Sequence, residues 1–194
     1  DIGWGHHLDI VMKTSNDGGN TWSPNEQIVA RGGSNIATDF NCGHGDATTV
    51  VDRETGEILM ICASGGICYW DSTRDLPIMM GRYYSTDEGL TWHCEDVTKH
   101  IYQLMPDVTG AFFTSGRIAQ SSRIKVGTHY RIYSGLATKQ GNRVLYSDNL
   151  GKTWNVLGNY SNAAQTAPKG DEAKIEELPN CCLLYTSDAA DDLT

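Results

Sequence analysis

The sequence predicts an all-β fold assembled from repeated small sheets, and three observations predict it. One eight-residue pattern, Ser-x-Asp-x-Gly-x-Thr-Trp, occurs at Ser15–Trp22, Ser85–Trp92 and Ser147–Trp154, with Asn149 replacing the acid in the third copy. Short strand-like runs lead into each copy, and no long run has helical periodicity. The tryptophans stand 70 and 62 residues apart. Each interval is long enough for one four-stranded propeller blade with decorated loops, and an internal repeat fixes architecture before any other feature does.

The pattern is that of a tight turn. Asp17, Asp87 or Asn149 accepts main-chain N–H groups, as Asx side chains do. Gly19, Gly89 and Gly151 supply a backbone conformation that a Cβ disfavours. The indoles of Trp22, Trp92 and Trp154 are expected to bury between sheets and peg each turn. Because Asn can replace Asp, the position needs an acceptor oxygen rather than a charge. Three widely spaced copies are structural, not one active site.

The strands entering the turns are predicted at Leu8 to Thr14, Ile78 to Tyr84 and Arg143 to Tyr146. Others are predicted at Thr48 to Asp52, Glu57 to Ala63, Ala111 to Thr114 and His129 to Leu136. The run VVDRETGEILMI reads as a hairpin turning at Glu54 to Gly56.

Composition narrows the function. A net charge of −9 argues against a nucleic-acid binder, which carries a basic patch. No apolar run reaches the length of a membrane span. The 194 residues, 39% hydrophobic with 21 Gly, suit one turn-rich β core. Of the six cysteines, Cys182 belongs to the C-terminal segment set apart below and Cys181 borders it; the other four, Cys42, Cys62, Cys68 and Cys94, show no zinc-type spacing. Cys62 reads as a buried free thiol, and a Cys42–Cys68 disulfide is conceivable in an exported protein. His6, His7 and His44 read as loop histidines, so no metal is expected.

The repeated pattern resembles the Asp box, and the chain is similar to bacterial exo-sialidases (neuraminidases) of the Asp-box propeller type. Two further segments carry the resemblance, which covers residues 1 to about 181. Gly170–Asn180 (GDEAKIEELPN) resembles the family's stretch around its catalytic glutamate, and Gly45-Asp46-Ala47 its Gly-Asp-Pro segment, with Ala47 in place of Pro. The resemblance implies a six-bladed β-propeller of which this chain holds three to four blades, the outer ones incomplete. It also implies a retaining glycoside hydrolase that removes terminal sialic acids from glycoproteins, glycolipids or oligosaccharides without a cofactor. A monomer that is secreted, periplasmic or cell-surface is expected.

Sialidases use a Tyr nucleophile, an exception among glycosidases. A phenol needs a nearby base, and Glu172 matches the family's glutamate in that role. Glu177, on the motif's own Glu-Leu-Pro, reads as structural. Asp1, fourteen residues before Ser15, matches the aspartate acid/base, with Asp9 as its rival. Asp46 matches an aspartate that contacts the sugar. The family's three carboxylate-binding arginines and its Tyr have no counterpart here. Arg117, Arg123, Arg131 and Arg143 read as surface or strand-edge residues, and Tyr133, Tyr146 and Tyr160 precede Glu172. The chain therefore reads as an inactive fragment of an enzyme. The rival reading is a non-catalytic Asp-box propeller that binds glycan or protein. The segment from Cys182 to Asp192 resembles a translated sequencing-library adapter, so residues 182–194 are expected to be a non-native, disordered tail.

Overall fold

The computed structural model describes residues 7–158, 173–180 and 182–186. The first sheet pairs β1 (Ile10–Met12) with β2 (Gln27–Ala30), and the first box turns between them. The second runs through β3 (His44–Val51), β4 (Ile58–Ser64), β5 (Met79–Ser85) and β6 (His93–Asp96) as an antiparallel meander, with the second box between β5 and β6. A helix, α1 (Thr98–Leu104), leads to the inner segments β7 (Ala111–Phe113) and β8 (Gly116–Arg117). The third sheet combines β7 and β9 (Ala119–Val126), which both pair β10 (His129–Thr138), followed by β11 (Arg143–Ser147) and β12 (Asn155–Val156). The third box again turns between the last two strands. Finally β13 (Lys174–Glu177) pairs β14 (Leu183–Thr186).

The all-β expectation holds, and the predicted strands recur within a few residues of their expected ends. The β3–β4 hairpin closes through Asp52, whose Oδ1 accepts the N–H groups of Glu54 and Thr55, both at 2.9 Å, with Gly56 at φ 76. Helix α1 is unanticipated, being too short to display a period. Just before it, Asp96 accepts the Thr98 N–H at 2.8 Å. Strand β14 lies inside the segment expected to be a tail, where Leu183–Thr186 covers one edge of β13.

The three boxes share one hydrogen-bond net. The Ser15, Ser85 and Ser147 hydroxyls accept the N–H of Gly19, Gly89 and Gly151 at 2.8, 2.8 and 2.9 Å. Asp17, Asp87 and Asn149 each accept the following Thr N–H at 2.9 Å. The Thr hydroxyl donates to Asp17 and Asp87 at 2.6 Å, whereas Asn149 Nδ2 donates to Thr153 Oγ1 at 2.9 Å. The amide thus keeps the net and reverses one donor. Backbone at Gly89 (φ 85) and Gly151 (φ 73) is left-handed, as it is at the preceding Glu88 and Leu150.

The tryptophans depart from the uniform burial expected of them. Trp154 is 1% exposed, packed on Phe113 with ring centroids 5.1 Å apart, in the core that joins the second and third sheets. Trp92 is half-buried against Met60, Tyr83 and Ala30, where the first sheet meets the second. Trp22 is 60% exposed. Trp92 and Trp154 each pack where their sheet meets the preceding one, and among the described residues no sheet precedes β1 to cover Trp22.

Side chains of the preceding sheet also grip the turns. Gln27 Nε2 donates to the Gly89 and Leu90 carbonyls at 2.7 and 3.0 Å. Arg82 Nε and Nη2 donate to the Leu150 carbonyl at 3.1 and 3.0 Å, while its Nη1 meets Glu95 at 2.9 Å.

Two outcomes follow from the boxes. Trp154→Ala is expected to cost about 3–5 kcal/mol in denaturant unfolding, and Trp22→Ala less than about 0.5 kcal/mol. The Thr21 hydroxyl, then the Thr21 N–H and Ser15, hold Asp17 at about 2, and the equivalent groups of Thr91 and Ser85 hold Asp87 at about 2. Both folded values lie below the ordinary 3.8, so their contribution is full above that pH and disappears as pH falls through about 2. Carboxyl NMR titration checks the two midpoints. Asp87→Asn removes one of the two titrations and leaves the turn as formed as the third box.

Candidate functional site

Strand direction gives the sheets two distinct ends. His44 pairs Ser64 and Ser64 pairs Met79, so these residues mark one end of the second sheet. Val51, Ile58 and Ser85 mark the other, where the box turns. In the third sheet Ala111 and Thr138 pair at the end opposite the third box. Lys139 joins the two box-distal ends, since its N–H donates to Gly110 O at 3.0 Å and its Nζ reaches Trp70 O.

Asp46 sits at this box-distal end of β3. Its φ of 50 is left-handed, a conformation that Asp tolerates better than most residues. It falls where the β3–β4 register shifts, between Gly45 and Thr48, a bulge that re-aims a side chain out of the ladder. Ala47, in the position of the family's Pro, packs against the Met60, Cys62 and Tyr83 cluster. Burial first, and then the charges of Cys94 and Asp46, push the Cys62 thiol up to about 12. Cys62 is therefore the inert buried thiol expected of it. Cys42 and Cys68 are both free, so the conceivable disulfide is absent.

The inner segments lie side by side. β3 runs parallel to β8, with Thr48 opposite Gly116, and Ile118 N–H donates to Thr49 O at 2.8 Å. On the other side of this segment, Thr114 Oγ1 donates to Ala173 O at 2.7 Å and Lys174 Nζ to Ser115 O at 2.7 Å. Asp46 is two residues before Thr48, and Ala173 directly follows Glu172. Thr48 and Ala173 are thus both pinned to Thr114–Gly116, the segment that runs from the box-distal end at Ala111 to mid-sheet. Asp1 and Glu172 themselves lie outside the described residues.

Other candidates resolve into structural roles. Glu177 accepts Ser121 Oγ and Ser122 Oγ, both at 2.7 Å, and the Ser122 N–H. Burial raises its carboxyl, but these hydrogen bonds outweigh burial and hold it below its ordinary value. Asp9 accepts the Gly32 N–H at 2.8 Å, which ties the start of β1 to the end of β2. His44 is buried, with Nδ1 3.0 Å from Ser64 Oγ and Nε2 3.2 Å from Arg31 O, and desolvation lowers its pKa. It is a core histidine, not the loop residue expected.

Arg131 pairs Asp148 through two contacts at 2.7 and 2.8 Å, and Arg123 donates to Pro179 O at 2.8 Å. Arg117 is exposed, 3.7 Å from Glu176. Arg143 differs from expectation: it is buried, holding Gly141 O at 3.0 Å and Asp107 at 3.3 Å. Tyr133 is buried, with its pKa raised by desolvation, and Tyr146 lies 4.1 Å beneath the Arg131 guanidinium. Tyr160 lies outside the described residues.

Sequence reasoning missed Trp70. The β4–β5 connection leaves Ser64 and returns at Met79, so it caps the same end as Asp46. On it Trp70 is 75% exposed, although Tyr69 beside it packs edge-on against Phe112 with centroids 5.1 Å apart. The available signal was an adjacent Tyr-Trp pair between two strands. Elsewhere, a groove of about 630 Å³ opens between β2 and β5–β6, lined by Arg31, Ser34, Asn41, Tyr83 and Cys94 among others. Asp46 does not line it. Among the described residues no helix is long and apolar enough to cross a membrane.

Comparison with known proteins agrees with this architecture. The BNR/Asp-box repeat family matches residues 83–93, the second box. The intramolecular trans-sialidase of Ruminococcus gnavus, solved with oseltamivir carboxylate, superimposes with a TM-score of 0.71 at 14% identity, covering 94% of this chain and 60% of that one. A leech intramolecular trans-sialidase, complexed with 2,7-anhydro-Neu5Ac, gives 0.73 at 14% identity over 94% and 43%. The NanB sialidase of Streptococcus pneumoniae gives 0.66 at 11% identity over 91% and 42%. The chain therefore spans less than two thirds of each of these structures. No curated protein sequence matches it. The chain thus carries an Asp-box repeat and has the fold of the sialidase-type propellers.

Proposed function

We propose that the chain is part of a retaining exo-α-sialidase acting on terminal sialic acids of glycoconjugates, and that it holds three to four blades of a six-bladed propeller. The observation that carries this reading is the convergence on Thr114–Gly116. The strand that carries Asp46 and the strand that follows Glu172 flank one inner segment from its two sides.

In this mechanism a Tyr oxygen from elsewhere in the protein attacks the anomeric carbon as the glycosidic bond breaks. Glu172 takes the phenolic proton, which a phenol with pKa near 10 needs at neutral pH. Asp1 protonates the departing glycosidic oxygen and then deprotonates the water that releases the sugar. A neutral phenol suits this substrate better than a carboxylate nucleophile, which the sugar's own carboxylate would repel. Asp46 accepts hydrogen bonds from sugar hydroxyls at the box-distal end. Trp70 offers an apolar face to the glycan at the same end.

Assay of the chain as it stands on a fluorogenic sialoside is expected to give no turnover, and clear activity would overturn the placement of the arginines and Tyr outside it. In the protein extended to include those groups, Glu172→Gln should lower kcat by roughly 10²–10⁴-fold. Unchanged activity in that variant would sink the assignment of Glu172. Identifying the product by mass separates hydrolysis from intramolecular transfer, and binding of sialosides without any product would favour the non-catalytic propeller.

A further inference from the structure

The connection from Ser64 to Met79 is long, and loops of this length are mobile unless tied down. This one is tied at both ends by its surroundings. Near its start Gly66 N–H donates to Ala37 O at 2.8 Å. Near its end Arg74 donates to the carbonyls of Tyr102, Met105 and Val108 at 3.1, 2.9 and 2.7 Å. Between these anchors the chain folds into a turn, in which Ser72 Oγ donates to Tyr69 O at 2.7 Å.

The apex of that turn is held from the third sheet. Lys139, on the connection between β10 and β11, donates from Nζ to Trp70 O at 2.9 Å and to Ser72 O at 2.6 Å. Its ammonium also stands 5.9 Å from the Tyr69 ring. The lysine stem passes over Gly110, where an added Cβ would stand 2.9 Å from Lys139 Cε and 2.3 Å from Ser72 Oγ. Only glycine fits there without displacing this arrangement.

We propose that Lys139 is a positioning residue for glycan binding: its ammonium clamps the Trp70 and Ser72 carbonyls and thereby fixes how the exposed Trp70 indole is presented beside the Asp46 end of the sheets. This rests on the reading of Trp70 as a glycan contact. Lys139 acts through the loop backbone, so it changes binding of the sugar and not the chemical step. The Gly66 and Arg74 anchors remain without it, so the fold survives its substitution. A lysine suits the task because three donors on one nitrogen reach two carbonyls from a single direction.

The test uses 5-fluorotryptophan-labelled chain, with the Trp70 resonance assigned from Trp70→Phe. Lys139→Met is expected to shift or broaden the Trp70 resonance while the buried Trp154 resonance stays in place, and Lys139→Arg should restore it. An unmoved Trp70 resonance in Lys139→Met would overturn the clamp. In the extended, active protein, Lys139→Met and Trp70→Ala should each raise KM by roughly fivefold to tenfold, with kcat unchanged. The double variant should be no worse than Trp70→Ala alone, because the two act through one contact. Additive effects would place Lys139 in a separate role and reject the inference. If Trp70→Ala leaves KM unaltered while the Lys139→Met resonance moves, the clamp stands and the glycan role of Trp70 is the part that fails.

Discussion

Everything in this molecule hangs on the joint made where a box turn meets the sheet before it. The Ser–Asx–Thr–Gly net bends the chain sharply between the last two strands and holds the residue before the glycine left-handed, as at Glu88 and Leu150. That geometry presents turn carbonyls to the preceding sheet, and Gln27 and Arg82 take them. The Arg82 bonds are charge-assisted, and Glu95 meets the same guanidinium, so the buried cation is both paired and hydrogen-bonded. A local turn thereby becomes a connection between sheets 68 residues apart in the chain. Burial of Trp92 and Trp154 fills the space behind the same joint.

The local parts of this design were legible in the sequence because they depend on neighbours in the chain. The alternation around VVDRETGEILMI marks the β3–β4 hairpin, and the box spacing marks the turns. Unequal burial of the three indoles was not legible, since it depends on whether a sheet precedes the box. Arg143 presented the same difficulty: its position at a strand edge says nothing of the Asp107 and Gly141 groups that enclose it. His44 looked like a loop residue until Ser64 and the Arg31 carbonyl closed around both ring nitrogens.

Candidate site residues divide in a similar way. Asp46 and Glu172 are proposed from short contiguous segments, which a sequence displays without any fold. The meeting of Thr48 and Ala173 on either side of Thr114–Gly116 has no such signature, because it joins residues more than 50 positions apart, through the parallel β3–β8 pair on one side and the Thr114 hydroxyl on the other. Lys139 and Trp70 carry no joint signature either. Separated by 69 residues, they meet only because the connections of two sheets emerge at one end.

That separation of ends has a chemical consequence. The box ends are committed to hydrogen-bond nets whose side chains are already satisfied, so they have little capacity left to hold a ligand. At the other end, connections leave the strands without a repeated constraint, and a bulge can turn Asp46 out of the ladder. If the ligand is the anionic sugar proposed above, it meets a repulsive field on approaching a chain of net charge −9, and long-range steering does not supply its affinity. Affinity has to come from contacts at short range: forked arginines for the carboxylate and an aromatic face for the uncharged part. Arg123 and Arg131 are engaged by the protein itself, and Arg143 is buried in doing so. Under the same proposal, an uncharged platform such as Trp70, fixed through its backbone by a lysine whose charge is spent on carbonyls, is a contact that an acidic surface can offer to such a ligand.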